Sequence, residues 1–120
     1  MVLAVTKMSD QPITPDSLRE EMHTMAAHQR AFVRDLNKSR AEWIALKLML
    51  RNEQDAAYMT AQGTIPEREA LARLATVDLS KQTADAETAF RAAQASLEAA
   101  ERILNGLQTQ LTSMRYEGNL

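Results

Sequence analysis

AQGTIPERE, residues 61–69, lies at the midpoint of a 120-residue chain that holds only three glycines and three prolines. Gly63 is free to adopt the left-handed backbone that ends a helix. Thr64-Ile65-Pro66-Glu67 has the spacing of a capping box, in which Thr64 and Glu67 each satisfy an exposed amide of the other. One helix therefore stops here and another begins almost at once. So short a connection favours antiparallel neighbours.

Upstream, Thr14-Pro15-Asp16 is a helix start. Thr14 is placed to cap free amides, Pro15 suits the first helical position, and Asp16, Glu20 and Glu21 favour the positive end of the helix dipole. The reading is an all-α chain: helix one over about residues 15–62, a turn at 63–64, and helix two over about 65–116, as one hairpin domain spanning 14–117. Residues 1–13 are expected to be a flexible N-terminal segment and 118–120 a tail. Met8 opens a polar run, MSDQPITPD, that makes a natural start, so residues 1–7 read as an upstream start or an added remnant.

Two helices that pack along their length need an apolar seam recurring every 3.5 residues. In helix one, Leu18, Met22, Met25, Gln29, Phe32, Leu36, Ser39, Trp43, Leu46 and Leu50 alternate steps of four and three. In helix two the same alternation links Leu79, Thr83, Ala86, Phe90, Ala93, Leu97, Ala100, Leu104, Leu107, Leu111 and Met114. Facing positions in an antiparallel pair have a constant sum, and a sum of about 129 sets large against small. Trp43 then faces Ala86, Phe90 faces Ser39, Leu36 faces Ala93, and Leu18, Met22 and Met25 face Leu111, Leu107 and Leu104. The expected architecture is a long antiparallel two-helix hairpin, coiled-coil-like.

Composition agrees. Aromatic residues make up 4% of the chain, and Ala, Leu, Glu, Arg and Gln are abundant, as in helical proteins. The absence of cysteine excludes disulfides, thiolate zinc sites and cysteine nucleophiles, and fits an intracellular, cytoplasmic protein. No apolar run approaches the roughly 20 residues of a membrane span, and MVLAVTK is too short for a signal-peptide core, so no membrane partner is expected.

One partner helix leaves each seam residue partly exposed, so a lone hairpin has little core. Helix two carries a second stripe of mostly small residues, Ala89, Ala92, Ser96, Ala99, Ile103 and Gly106, that would let another helix approach, and Ile44 and Leu48 lie outward on helix one. These residues are the candidate oligomer interface, and a homo-oligomer is expected.

A formal net charge of −2 announces no global partner, yet charge is segregated. Between residues 30 and 51 stand Arg30, Arg34, Lys38, Arg40, Lys47 and Arg51 against only Asp35 and Glu42. Arg30, Arg34 and Lys38 share one outward helix face, with Arg51 further along that side. At about 1.5 Å per residue the stripe runs some 30 Å, enough to track the phosphates of a strand. These six cations are the candidate nucleic-acid-binding residues. Base stacking finds little support, since Trp43, Phe32 and Phe90 fall on the seam and only Tyr58 and Tyr116 remain.

The sequence argues against catalysis. Glu20 and His23 have the E-x-x-H spacing of helical di-iron proteins, but no second pair follows, and His28 is five residues from His23, on another side of the helix. The histidines read as surface residues. No Gly-rich phosphate loop or nucleophile elbow is present, and a two-helix rod builds no concave pocket. No enzyme activity, metal or cofactor is expected.

Two stretches carry a family resemblance: AAYMTAQGTIPEREALARL, with its Tyr, G-T and E-R about the turn, and ILNGLQTQLTSMRYE, with Ser113, Arg115 and Glu117. From Trp43 to Glu117 the chain resembles small helical proteins encoded in phage genomes beside recombination genes, which are similar to the phage recombination mediator. The resemblance implies a non-enzymatic oligomer that binds single-stranded DNA and helps a recombinase displace the single-strand-binding protein, in the host-cell cytoplasm. Small secreted hairpin proteins with a W-x-G turn do not fit, because Ile44 and Ala45 follow Trp43 in mid-helix. The expected function is therefore a phage or prophage DNA recombination accessory factor, mediator-like. The rival is a structural or adaptor protein, such as a virion component, assembly chaperone or inhibitor, that meets only protein partners.

Overall fold

A computed structural model of the chain describes residues 13–118, and these are helical almost throughout. Three helices follow one another: α1 (Pro15–Thr60), α2 (Ile65–Ala75) and α3 (Val77–Gly118). The expected N-terminal segment up to residue 12 and the last two residues of the expected tail lie outside the described residues.

Each boundary has a local cause. At the start of α1, the Thr14 hydroxyl accepts from the Ser17 amide at 3.0 Å, and the Thr14 amide donates to Ser17 Oγ at 2.9 Å. Two orphan donors are thus satisfied reciprocally, as in a capping box, with serine in the place usually taken by glutamate. The end of α1 is closed by Gly63 at φ 118°, a conformation that L residues with side chains rarely adopt. A Cβ added there would also strike the Glu67 carboxylate. Thr64 then caps α2, its hydroxyl accepting from the Glu67 amide, and Pro66 sits in the first turn.

The expected single second helix is interrupted once, at Thr76. Its backbone, at φ −116° and ψ 18°, has left the helical range, and its amide turns back to the Arg73 carbonyl at 3.3 Å. The Thr76 hydroxyl donates to the Ala72 carbonyl at 2.9 Å, a back-bond that competes with the backbone ladder and bends helices. The Thr76 carbonyl accepts from Ser80 and so opens α3, with Asp78 in its first turn. Residue 65 onward is two helices, not one.

The described chain divides into two compact units, one of residues up to Ala31 together with those from Leu97, the other Phe32–Ser96. In the first, Leu18, only 1% exposed, clusters with Leu107 and Leu111, and Met22 and Met114 pack against them. The expected facing of Leu18 with Leu111 agrees with this cluster.

In the second unit the indole of Trp43 stacks on Phe90, with ring centroids 5.2 Å apart and planes inclined by 24°. The spacing instead pairs Trp43 with Ala86 and Phe90 with Ser39. Large faces large here because helical side chains lean along the axis and reach the neighbouring seam level, and two rings gain from an offset stack. Buried Thr83 sits in this seam with its hydroxyl satisfied by the Leu79 carbonyl at 2.8 Å. Every seam position named from the sequence is buried or half-buried, and the seam continues past Leu79 to buried Thr76 and Ala72.

Candidate functional site

The six cations of the candidate stripe, Arg30, Arg34, Lys38, Arg40, Lys47 and Arg51, are all exposed on α1, with Arg30 in the first unit and the other five in the second. Arg34, Lys38, Arg40 and Arg51 stand clear of the Trp43–Phe90 stack, and none of them, nor Arg30, makes an ion pair among the described residues. Lys47 differs. Its ammonium lies 4.7 Å from the centre of the Trp43 ring, held to the seam rather than projecting with the stripe. The guanidinium of Arg91 approaches the same ring at 5.6 Å, while its nearest acid, Glu87, is 3.8 Å away.

Lys38 shares a groove of about 420 Å³ with Asp35 and Glu42 on α1, floored by Ala89, Ala92 and Ala93 and closed by Ser96. The positive stripe therefore has an acidic border on this side, which the simple count of charges did not place.

Of the residues expected to meet a second copy, Ile44 is 52% and Leu48 60% exposed, on the outward side of α1. Ala89, Ala92 and Ser96 on α3 border the open groove just described, and Ile103 is exposed to 40%. Ala99 turns partly inward and is half-buried. A Cβ built on Gly106 would meet no atom within 4 Å, so nothing in its own unit requires a glycine there.

The residues about the turn have a visible structural role. Arg68 of α2 donates from Nε and Nη2 to the Tyr58 carbonyl, at 3.3 and 3.0 Å, and its guanidinium lies 4.3 Å from the centre of the Tyr58 ring. The carbonyls in the last turn of a helix have no intrahelical donor, and a cation there also meets the negative end of the dipole. Tyr58 and Arg68 thus fasten α2 to the end of α1. Of the two tyrosines, Tyr58 is half-buried under this arginine and Tyr116 is exposed.

His23 is exposed, and His28 engages a partner of its own. Among the described residues no group of three His, Cys, Asp or Glu side chains converges as a metal site would require. No described helix is long and apolar enough to cross a membrane.

Sequence reasoning passed over a second basic locus in the first unit. Arg19 and His23 on α1 and Arg115 and Gln108 on α3 border a groove of about 490 Å³. The register itself points there. Arg19 follows Leu18, Arg115 is one turn beyond Leu111, and those two leucines belong to one cluster.

Comparison with protein-family models, with curated proteins and with solved structures finds no match to this chain.

Proposed function

We propose that this chain is a long antiparallel helical hairpin that acts by binding, as a phage or prophage recombination accessory protein of the mediator type. In this reading it works in the host-cell cytoplasm, self-associates through Ile44, Leu48 and the small-residue face of α3, and carries single-stranded DNA for a recombinase. The observation that carries the reading is the set of exposed cations on α1, Arg30, Arg34, Lys38, Arg40 and Arg51, with no ion pair among the described residues. Cations not already neutralised are available to displace counterions from a phosphate backbone, and that release supplies much of the affinity of proteins for nucleic acid. The resemblance about the turn and the closing helix points to the same class.

A second reading rests on a different observation. In α2, Leu71 and Leu74 lie one turn apart and Leu74 is 70% exposed, an apolar edge suited to a protein partner. An adaptor that never meets nucleic acid would use such an edge.

Fluorescence anisotropy with labelled oligo(dT) separates the two. Binding by the mediator-like protein weakens steeply with salt, and replacing Arg30, Arg34 and Lys38 together by Glu weakens it sharply and makes its salt dependence shallower. If the native chain shows no binding at low salt, the adaptor reading takes its place, and if the triple variant binds as well as the native chain, the stripe is not the surface that binds. Sedimentation equilibrium at micromolar concentration tests self-association, and a monomer of 13.4 kDa would contradict it.

A further inference from the structure

The groove of the first unit combines cations from two helices with an apolar floor. Arg19 and Arg115, nearly a hundred positions apart in sequence, stand on its rim with His23, and Met22, Leu104 and Leu111 line its base. Arg115 makes no ion pair among the described residues. Arg19 has one, to Asp16 Oδ1 at 3.0 Å, but both side chains are largely solvent-exposed. Such a pair contributes little and yields readily to a better anion. Asp16 takes only one nitrogen of the Arg19 guanidinium, whereas a phosphate can accept two parallel hydrogen bonds from its fork. The apolar floor narrows the class further. An inorganic anion makes no use of it, and the faces of duplex bases are covered by their stacked neighbours, whereas the bases of a single strand are free to lay a face on an apolar surface.

We infer that this groove is a second binding site for single-stranded nucleic acid, one that holds a phosphodiester between Arg19 and Arg115 and lays the adjoining base on Met22, Leu104 and Leu111. The inference rests on the reading of the chain as a single-strand binder, but on none of the residues of the α1 stripe. His23 and Gln108 complete the rim as polar contacts to the sugar or base edge.

The test compares three proteins by anisotropy with labelled oligo(dT) over a range of salt: the native chain, the double variant Arg19→Gln with Arg115→Gln, and the double variant Arg34→Glu with Lys38→Glu. Glutamine removes each charge while keeping a polar stem, and circular dichroism at 222 nm confirms that both variants are folded. With two guanidinium groups no longer neutralising phosphates, the slope of log K against log salt becomes shallower by about 1.4 in the groove variant. Oligonucleotides carrying 5-iododeoxyuridine, irradiated on the native chain, cross-link to the tryptic peptides 20–30 and 103–115. An unchanged slope in the groove variant, or cross-links confined to other peptides, overturns the inference. If only the stripe variant loses affinity, the functional reading stands and the groove falls. If only the groove variant does, the groove stands and the stripe falls. No binding by the native chain overturns both.

Discussion

The two units bury their seams by different chemistry. In the one built from the chain's outer segments, aliphatic side chains nest: Leu18 is enclosed by Leu107 and Leu111, with Met22 and Met114 filling the margin. In the one built from its middle, two rings stack, and Lys47 and Arg91 lean over the indole. A helix with a single packing partner cannot be surrounded on all sides. Branched leucines reach near-complete burial because several close around one. A large indole cannot be enclosed by one facing helix, so charged heads on apolar stems shield the part that the seam leaves open. Phe90, the inner ring of the stack, is 7% exposed, while Trp43 remains half-buried. Oily nesting and a cation-roofed stack are thus alternative answers to the same shortage of core.

The comparison is open to attack at both ends. Trp43 is the only tryptophan, so its fluorescence reports the middle unit, while circular dichroism reports all three helices. The largest effect is expected from Phe90→Ala, which removes half the stack and leaves a cavity under the indole, at a cost of about 4 kcal/mol. Trp43 emission should move to the red and the urea midpoint should fall in both signals. An unshifted emission would mean that the stack is not what shelters the indole.

Leu18→Ala comes next, at about 3 kcal/mol. Hydrogen exchange should then quicken among amides of residues 15–31 and 97–118 before it does in 32–96, and the dichroism midpoint should fall below the fluorescence midpoint. Coincident midpoints would show that the chain loses its structure as one cooperative body, and the two modes of burial would not be energetically separable. The smallest effect belongs to Lys47→Gln, which keeps an apolar stem but removes the charge over the ring, for a loss of about 0.5 kcal/mol. A fall as large as that of Leu18→Ala would make the cation a principal support of the stack rather than its cover.

Much of this was legible in the sequence, because 3.5-residue spacing constrains which residues can be inside. Each position from Leu18 to Leu50 on α1 and from Leu79 to Met114 on α3 that the spacing selected is at least half-buried. The turn was equally plain, since Gly63 and Thr64 have few other uses side by side. Thr76 was not. Apolar spacing runs through it undisturbed, and the back-bond of its hydroxyl to Ala72 is a local choice with only a faint signature, a threonine two residues before an aspartate. Register set Trp43 opposite Ala86 and Phe90 opposite Ser39, and it missed the lean of the two rings by which they meet each other.

For the candidate site, the counting of charges found the stripe on α1 and no more. It could not separate Lys47, occupied by the indole, from Arg34 or Arg40, which are not. Nor could it bring Arg19 and Arg115 to one groove, because that needs two distant stretches placed by the seam. Face and spacing are properties of one helix and can be read from it alone. Convergence belongs to a pair.

The fastening of α2 by Arg68 has a consequence for how the tip tolerates change. The fork of Arg68 is received by a main-chain oxygen of residue 58, which every amino acid supplies, so the identity of that residue enters only through the ring lying against the guanidinium. Phenylalanine in place of Tyr58 would keep both halves of the fastening. Lysine in place of Arg68 would weaken both, since an ammonium has no planar fork for the carbonyl and no flat face to lay on the ring. The two ends of the same contact therefore drift under unequal freedom, loose on α1 and strict on α2.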